Sequence, residues 1–276
     1  MTFGSRLSSA LDARGSLCVG IDPHAALLSS WGLSVDADGL ARFADICVSA
    51  FGDLAPVIKP QSAFFEIYGS AGIAVLERTI SACRAAGALL LLDVKRGDIG
   101  STMDAYAQAY LDPSSPLASD AITVSPFLGV GSLAPVFDRV SAHGAGAFVL
   151  AATSNPEGPQ VQQARTAAGV TIAQTVVDEV GERNAGASPL GSLGVVAGAT
   201  IAVTDAPDFA RLNGPILAPG VGAQGGTADD VRKLFGGALR DVVPSVSREV
   251  LRHGPDVTAL RRAVSALVEE FAFLRG

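Results

Sequence analysis

Of the 20 basic residues only three are lysines, Lys59, Lys95 and Lys233, so the chain ordinarily supplies positive charge as arginine. Arginine stays protonated under all ordinary conditions, whereas an ammonium can give up its proton; lysine kept against the chain's habit hints at acid–base chemistry. Lys59 ends the apolar run PVIK, and Lys95 follows Asp93 by two residues at the end of LLLLDVK. Residues two apart on a strand share a face, so a carboxylate and an ammonium would stand side by side. Asp98 and Thr102 fall within the same ten residues, and Asp22 ends another apolar run, CVGID. Alternating charges of this kind stabilise one another, but each ion costs several kcal/mol to bury, a cost that a mere scaffold has no need to meet. For any one of these residues an ion pair that only caps a sheet is the competing explanation. Together they favour a site.

The elements that must position them are short apolar runs alternating with stretches of helical period, the mark of repeated βα units and a parallel sheet. Eight strands are expected, at Leu17–Ile21, Pro56–Lys59, Leu89–Val94, Ala121–Ser125, Ala147–Ala152, Leu193–Ala197, Ile216–Pro219 and Asp241–Val246. They are apolar throughout, as strands covered on both faces are. Leu40, Phe43, Ile46 and Cys47 keep helical spacing before Gly52, as do Ile73, Leu76, Ile80 and Cys83 before Gly87. A short leading helix is expected at Phe3, Leu7 and Leu11, a closing one over Val257 to Leu274, and one over Thr171 to Arg183 inside the long connection from Ser154 to Ser192. This count fits a single α/β domain over residues 1–276, a (β/α)8 TIM barrel, better than an open doubly wound sheet.

In such a barrel the active site gathers at the carboxyl ends of the strands, where Asp22, Lys59, Asp93 and Lys95 are placed, and phosphate is commonly held after strands 7 and 8. There the sequence has PGVGAQGG, containing Gly222 and Gln224, and then Arg248 in SVSR. Glycines let backbone N–H groups approach an oxyanion, and an arginine can bind it in two-pronged fashion. A lone Gly-rich turn is usually only a turn; Arg248 one strand further on favours an anion site. His24, His143 and His253 are scattered and no Cys-x-x-Cys occurs, so no metal site is expected, and His24 suits a loop histidine with local hydrogen bonds.

Hydrophobic residues make up 49% of the 276 and charged ones 17%, the mix of a globular protein. The start, MTFGSRLSSALDARG, lacks the apolar core of a signal peptide, and apolar runs such as Ala88 to Leu92 fall far below the roughly 20 residues that span a bilayer. Cys18, Cys47 and Cys83 lie in apolar stretches as buried free thiols would, which suits a reducing cytoplasm. A net charge of −7 without a basic stripe argues against nucleic acid.

The run D-x-K-R-G-D-I-x-x-T, at Asp93, Lys95, Asp98, Ile99 and Thr102, resembles the catalytic motif of the orotidine 5'-phosphate decarboxylases, in their longer-chain, type 2 branch. Asp22 in GID, Lys59 in IKPQ, Ser154 in TSNP, Gln224 in PGVGAQGG and Arg248 in SVSR follow in the expected order. The resemblance implies a cofactor-free enzyme that makes UMP and CO2 from orotidine 5'-phosphate, the last step of de novo UMP synthesis. It implies Lys95 as proton donor to C6, Asp93 beside the departing carboxylate, Lys59 and Asp22 toward the ribose, and Ser154 toward the pyrimidine amide. Gly222, Gln224 and Arg248 are implied at the phosphate, and Asp98 with Thr102 in the partner's site of a homodimer. Relatives often have glycine where this chain has Ser247. The rival readings are a Mg-dependent decarboxylase of a 3-keto sugar phosphate, a Schiff-base aldolase using Lys59 or Lys95, and a non-catalytic nucleotide-binding barrel.

Overall fold

A computed structural model describes residues 1–276. Eight parallel strands close into a barrel in chain order: β1 (Cys18–Ile21), β2 (Val57–Pro60), β3 (Leu89–Arg96), β4 (Ala121–Val124), β5 (Gly146–Ala152), β6 (Leu193–Ala197), β7 (Ile216–Pro219) and β8 (Val242–Val246). The last strand returns to the first, pairing Ser245 with Cys18 and Val246 with Val19. Closure rules out the open doubly wound alternative. The strands lie within a residue of their sequence-based limits except β3, which runs two residues further, to Arg96, because an irregularity between Leu92 and Arg96 lets its end pair with Val124.

Two buried layers explain why the strands are apolar on both faces. One residue from each strand (Cys18, Val57, Leu91, Ala121, Phe148, Val196, Leu217 and Val243) joins a single inner cluster, and the larger cluster lies between strands and outer helices. Phe3, Leu7 and Leu11 belong to the inner cluster, so the leading helix (Phe3–Arg14) does not sit in the outer ring. It closes the barrel floor. The Phe3 ring meets Phe148 edge to face at 6.1 Å. Gly146 makes room for it, since a Cβ there would lie 2.3 Å from the ring. Arg6 pins the helix by pairing with Asp120 and donating to the Gly144 carbonyl at 3.0 Å, at the entrances to β4 and β5.

The long connection after β5 carries two helices, Gly158–Gln162 and Ile172–Arg183, and the closing helix spans Val257–Glu270 before a 3-10 turn at Ala272–Leu274. No helix is long and apolar enough to cross a membrane.

Candidate active site

At the carboxyl ends of the strands a cavity of about 330 Å³ opens, within the range of small-molecule pockets. Its charged wall starts on β3. Asp93 is buried, and its carboxylate accepts a hydrogen bond from Lys59 Nζ at 3.3 Å on one oxygen and from Lys95 Nζ at 2.7 Å on the other. Burial alone would push the Asp93 carboxyl up; the charges of Lys59 and then Lys95, with hydrogen bonds from Lys95 and Thr123, outweigh it and hold the group at about 2. Burial likewise disfavours the Lys59 ammonium, but the charges of Asp93 and Asp22 hold its pKa above the ordinary lysine value. The two ammonium groups differ in access: the Lys95 side chain is 48% exposed, that of Lys59 only 7%.

The irregularity in β3 shapes this wall. Leu92 pairs with Ile122 and Arg96 with Val124, so Asp93, Val94 and Lys95 stand opposite the single residue Thr123. Bulges of this sort turn a strand locally and re-aim a side chain. Lys95 takes a left-handed backbone, φ 44°, one of only two non-glycine residues to do so.

Asp22, just past β1, lines the cavity with one buried oxygen, Oδ1, that has no partner. Gly20 keeps the space beside it open, because a Cβ there would lie 1.9 Å from Ser247 Oγ and 3.1 Å from Asp22 Oδ1.

Across the mouth, Pro219, Gly220, Val221, Ala223 and Gln224 line the cavity after β7, and Ser247 and Arg248 after β8. The loop is folded on itself: Gly222 N–H donates to the Gly226 carbonyl at 2.8 Å and Gly226 N–H to that of Gly220 at 3.0 Å. The backbone N–H groups of Ala223 and Gln224 make no hydrogen bond within the chain, and the Arg248 guanidinium makes neither hydrogen bond nor ion pair. Donors without partners, grouped at one side of a cavity, suit an anion. Ser154 lines the remaining wall beside Thr153, whose N–H and hydroxyl are both held by the Gln162 amide, at 2.9 and 2.7 Å.

The cavity thus gathers Asp22, Lys59, Asp93, Lys95, Ser154, Gln224 and Arg248, all singled out from sequence. Gly222 shapes the loop without lining the cavity, its N–H already engaged. Asp98 and Thr102 lie outside: Asp98 is half-buried and accepts from its neighbour Ile99 N–H at 2.8 Å, and Thr102 is exposed on the helix Gly100–Leu111. His24 caps the helix Ala25–Ser30, its Nδ1 accepting from Leu27 N–H at 3.3 Å. Sequence reasoning missed Gln61, Asn155 and Thr123, as well as the apolar floor of Leu150, Val196 and Leu217. The available signal for Thr123 was a lone hydroxyl inside the apolar run AITV. No group of three or more His, Cys, Asp or Glu side chains is placed to hold a metal ion.

Residues 15–263 match the model of the family described as orotidine 5'-phosphate decarboxylase / HUMPS. The chain is 62% identical over 269 residues to an orotidine 5'-phosphate decarboxylase of Salinispora arenicola, covering 98% of this chain and 96% of that one. It is 64% identical over 259 residues to the enzyme of that name from a Nocardioides species, covering 92% and 94%. A crystal structure assigned to an orotidine 5'-phosphate decarboxylase from Streptomyces avermitilis superposes with a TM-score of 0.96 at 56% identity, over 99% of this chain and 95% of that one.

Proposed function

The chain belongs to the orotidine 5'-phosphate decarboxylase / HUMPS family, and on that premise we propose that the cavity at the strand ends is where the substrate loses its C6 carboxylate. The enzyme is a carboxy-lyase of UMP biosynthesis, converting orotidine 5'-phosphate to UMP and CO2. Breaking the C6–carboxylate bond leaves an electron pair on C6 with no carbonyl placed to delocalise it, so the barrier must fall by an amount near the top of the usual enzyme range, ~23 kcal/mol.

The observation that carries the reading is the row Lys59–Asp93–Lys95 on the cavity wall, in which Lys95 is the more exposed of the two lysines. Lys95 stabilises the developing pair at C6 and then gives it a proton, recovering its own from solvent. Asp93 holds Lys95 by their hydrogen bond and disfavours the ground-state carboxylate beside it. Lys59 holds Asp93 from the other side and, with Asp22, lines the cavity where the ribose would lie. Gln224, Arg248 and the free N–H groups of the β7 loop take the phosphate, the loop's shape resting on Gly222. Ser154 meets the pyrimidine amide.

Asp98 and Thr102 lie outside their own chain's cavity, which supports a homodimer in which both residues complete the partner's site. We place this single catalytic barrel in the cytoplasm, consistent with its three free, buried thiols, and assign it no cofactor. The test is the loss of orotidine 5'-phosphate absorbance with EDTA present. Turnover that persists supports the reading. Turnover that EDTA abolishes turns it toward metal chemistry, and tight UMP binding without turnover makes the barrel a nucleotide-binding protein.

A further inference from the structure

We propose that Thr123 is a positioning residue for the ammonium of Lys95, an inference that rests on the role given to Lys95 above. Thr123 is buried on β4, where a valine would have the same shape and serve packing equally well. Its hydroxyl instead makes three hydrogen bonds. It accepts from Val94 N–H at 3.1 Å and from Lys95 N–H at 2.9 Å, and it donates to Asp93 Oδ1 at 2.7 Å. A hydroxyl has two acceptor lone pairs and one proton. With both lone pairs facing N–H donors, the proton can go only to the carboxylate.

These bonds answer a specific need. Three residues of β3 face one residue of β4, so the ladder cannot satisfy the extra backbone N–H groups, and a buried N–H without a partner is costly. One side chain supplies what the neighbouring backbone lacks. It does so at Lys95, which holds a left-handed backbone that a non-glycine residue adopts only when its surroundings impose it.

Lys95 has little else to direct it, because nearly half its side chain is exposed and packing fixes it weakly. Its direction is set at two points, the backbone N–H on Thr123 Oγ1 and the Nζ on Asp93 Oδ1. The second point is the same carboxylate oxygen to which Thr123 donates. Thr123 therefore fixes both ends of Lys95 without lying next to it in sequence.

The experiment compares kcat and KM for orotidine 5'-phosphate, UMP affinity and melting temperature in wild type, Thr123→Val and Thr123→Ser. With the ammonium displaced, Thr123→Val should lose about 10²-fold in kcat, as misplacement by an ångström can cost. KM and UMP affinity should stay within about threefold of wild type, because the lost interaction matters in the transition state. Thr123→Ser keeps the hydroxyl and should recover most of kcat. If the valine variant does not accumulate folded, Thr123→Ala is read by the same criteria. A lower melting temperature with unchanged kcat per folded chain makes Thr123 structural only and overturns the proposal. So does a serine variant as impaired as the valine one. A wild-type protein that does not turn over the substrate removes the proposed function itself, a different failure from an unaffected Thr123→Val.

Discussion

The two lysines that flank Asp93 face different environments, and the difference separates support from chemistry. Both line the cavity, but Lys59 is buried, bonded to Asp93 and under the charge of Asp22, whereas nearly half of the Lys95 side chain is exposed. Replacing Lys95 with arginine keeps the charge but removes a proton that can be given up, so kcat should fall by at least about 10²-fold while UMP still binds. Steady-state kinetics and calorimetry check this; an arginine variant keeping a tenth of wild-type kcat would end the proton-donor role. Asp93 carries a pH signature. Its carboxyl, ordinarily near 3.8, is held at about 2 in the fold, so the native state takes up that proton later than the unfolded chain. The stabilisation is complete above the ordinary value and is lost as pH falls through about 2, amounting to on the order of 2 kcal/mol. Thermal melts between pH 5 and roughly pH 2 should lose this part of their slope in Asp93→Asn. Much of this was legible in the sequence, because lysine is rare in an arginine-using chain and because parity on a regular strand leads to the pairing of Asp93 with Lys95, though here a bulge brings it about. The left-handed backbone of Lys95 was not legible, since no glycine marks it.

At the scale of elements, the strands were legible because burial on both faces leaves nothing but apolar side chains along them. The β3 bulge was not, because it arises from pairing with β4 and depends on Thr123, a partner distant in sequence. The loop after β7 was half legible: its glycines announce a tight turn and Gln224 was singled out with Gly222, but the N–H of Gly222 is engaged within the loop and those of Ala223 and Gln224 are the free ones. The leading helix was placed correctly and its use was missed, since a three-residue apolar face fits an outer ring as well as a floor. That use has a measurable consequence. Leu7 is fully buried in the floor, so Leu7→Ala should cost about 2–5 kcal/mol in denaturant unfolding. As the lesion lies at the opposite end of the strands from the cavity, kcat per folded chain should stay near wild type.

For the whole molecule, the proposed homodimer requires two copies to complete each other's sites. If Asp98 serves the partner's site and Lys95 its own, Asp98→Asn and Lys95→Ala homodimers should each be nearly inactive. Random re-pairing of equal amounts makes half the dimers mixed, each with one intact site of two, so about a quarter of wild-type activity should return. Confirmed subunit exchange without recovery would return Asp98 to its own chain. The closure of the barrel bears on when such a site can first exist. Asp22 extends the first strand and Arg248 follows the last, and the two strands meet along one seam, where Gly20 lies against Ser247. A ribosome delivers the first long before the other, so the two sides of the cavity face each other only once the last strand is made. A nucleotide that needs both sides of the cavity stabilises only chains whose barrel has closed.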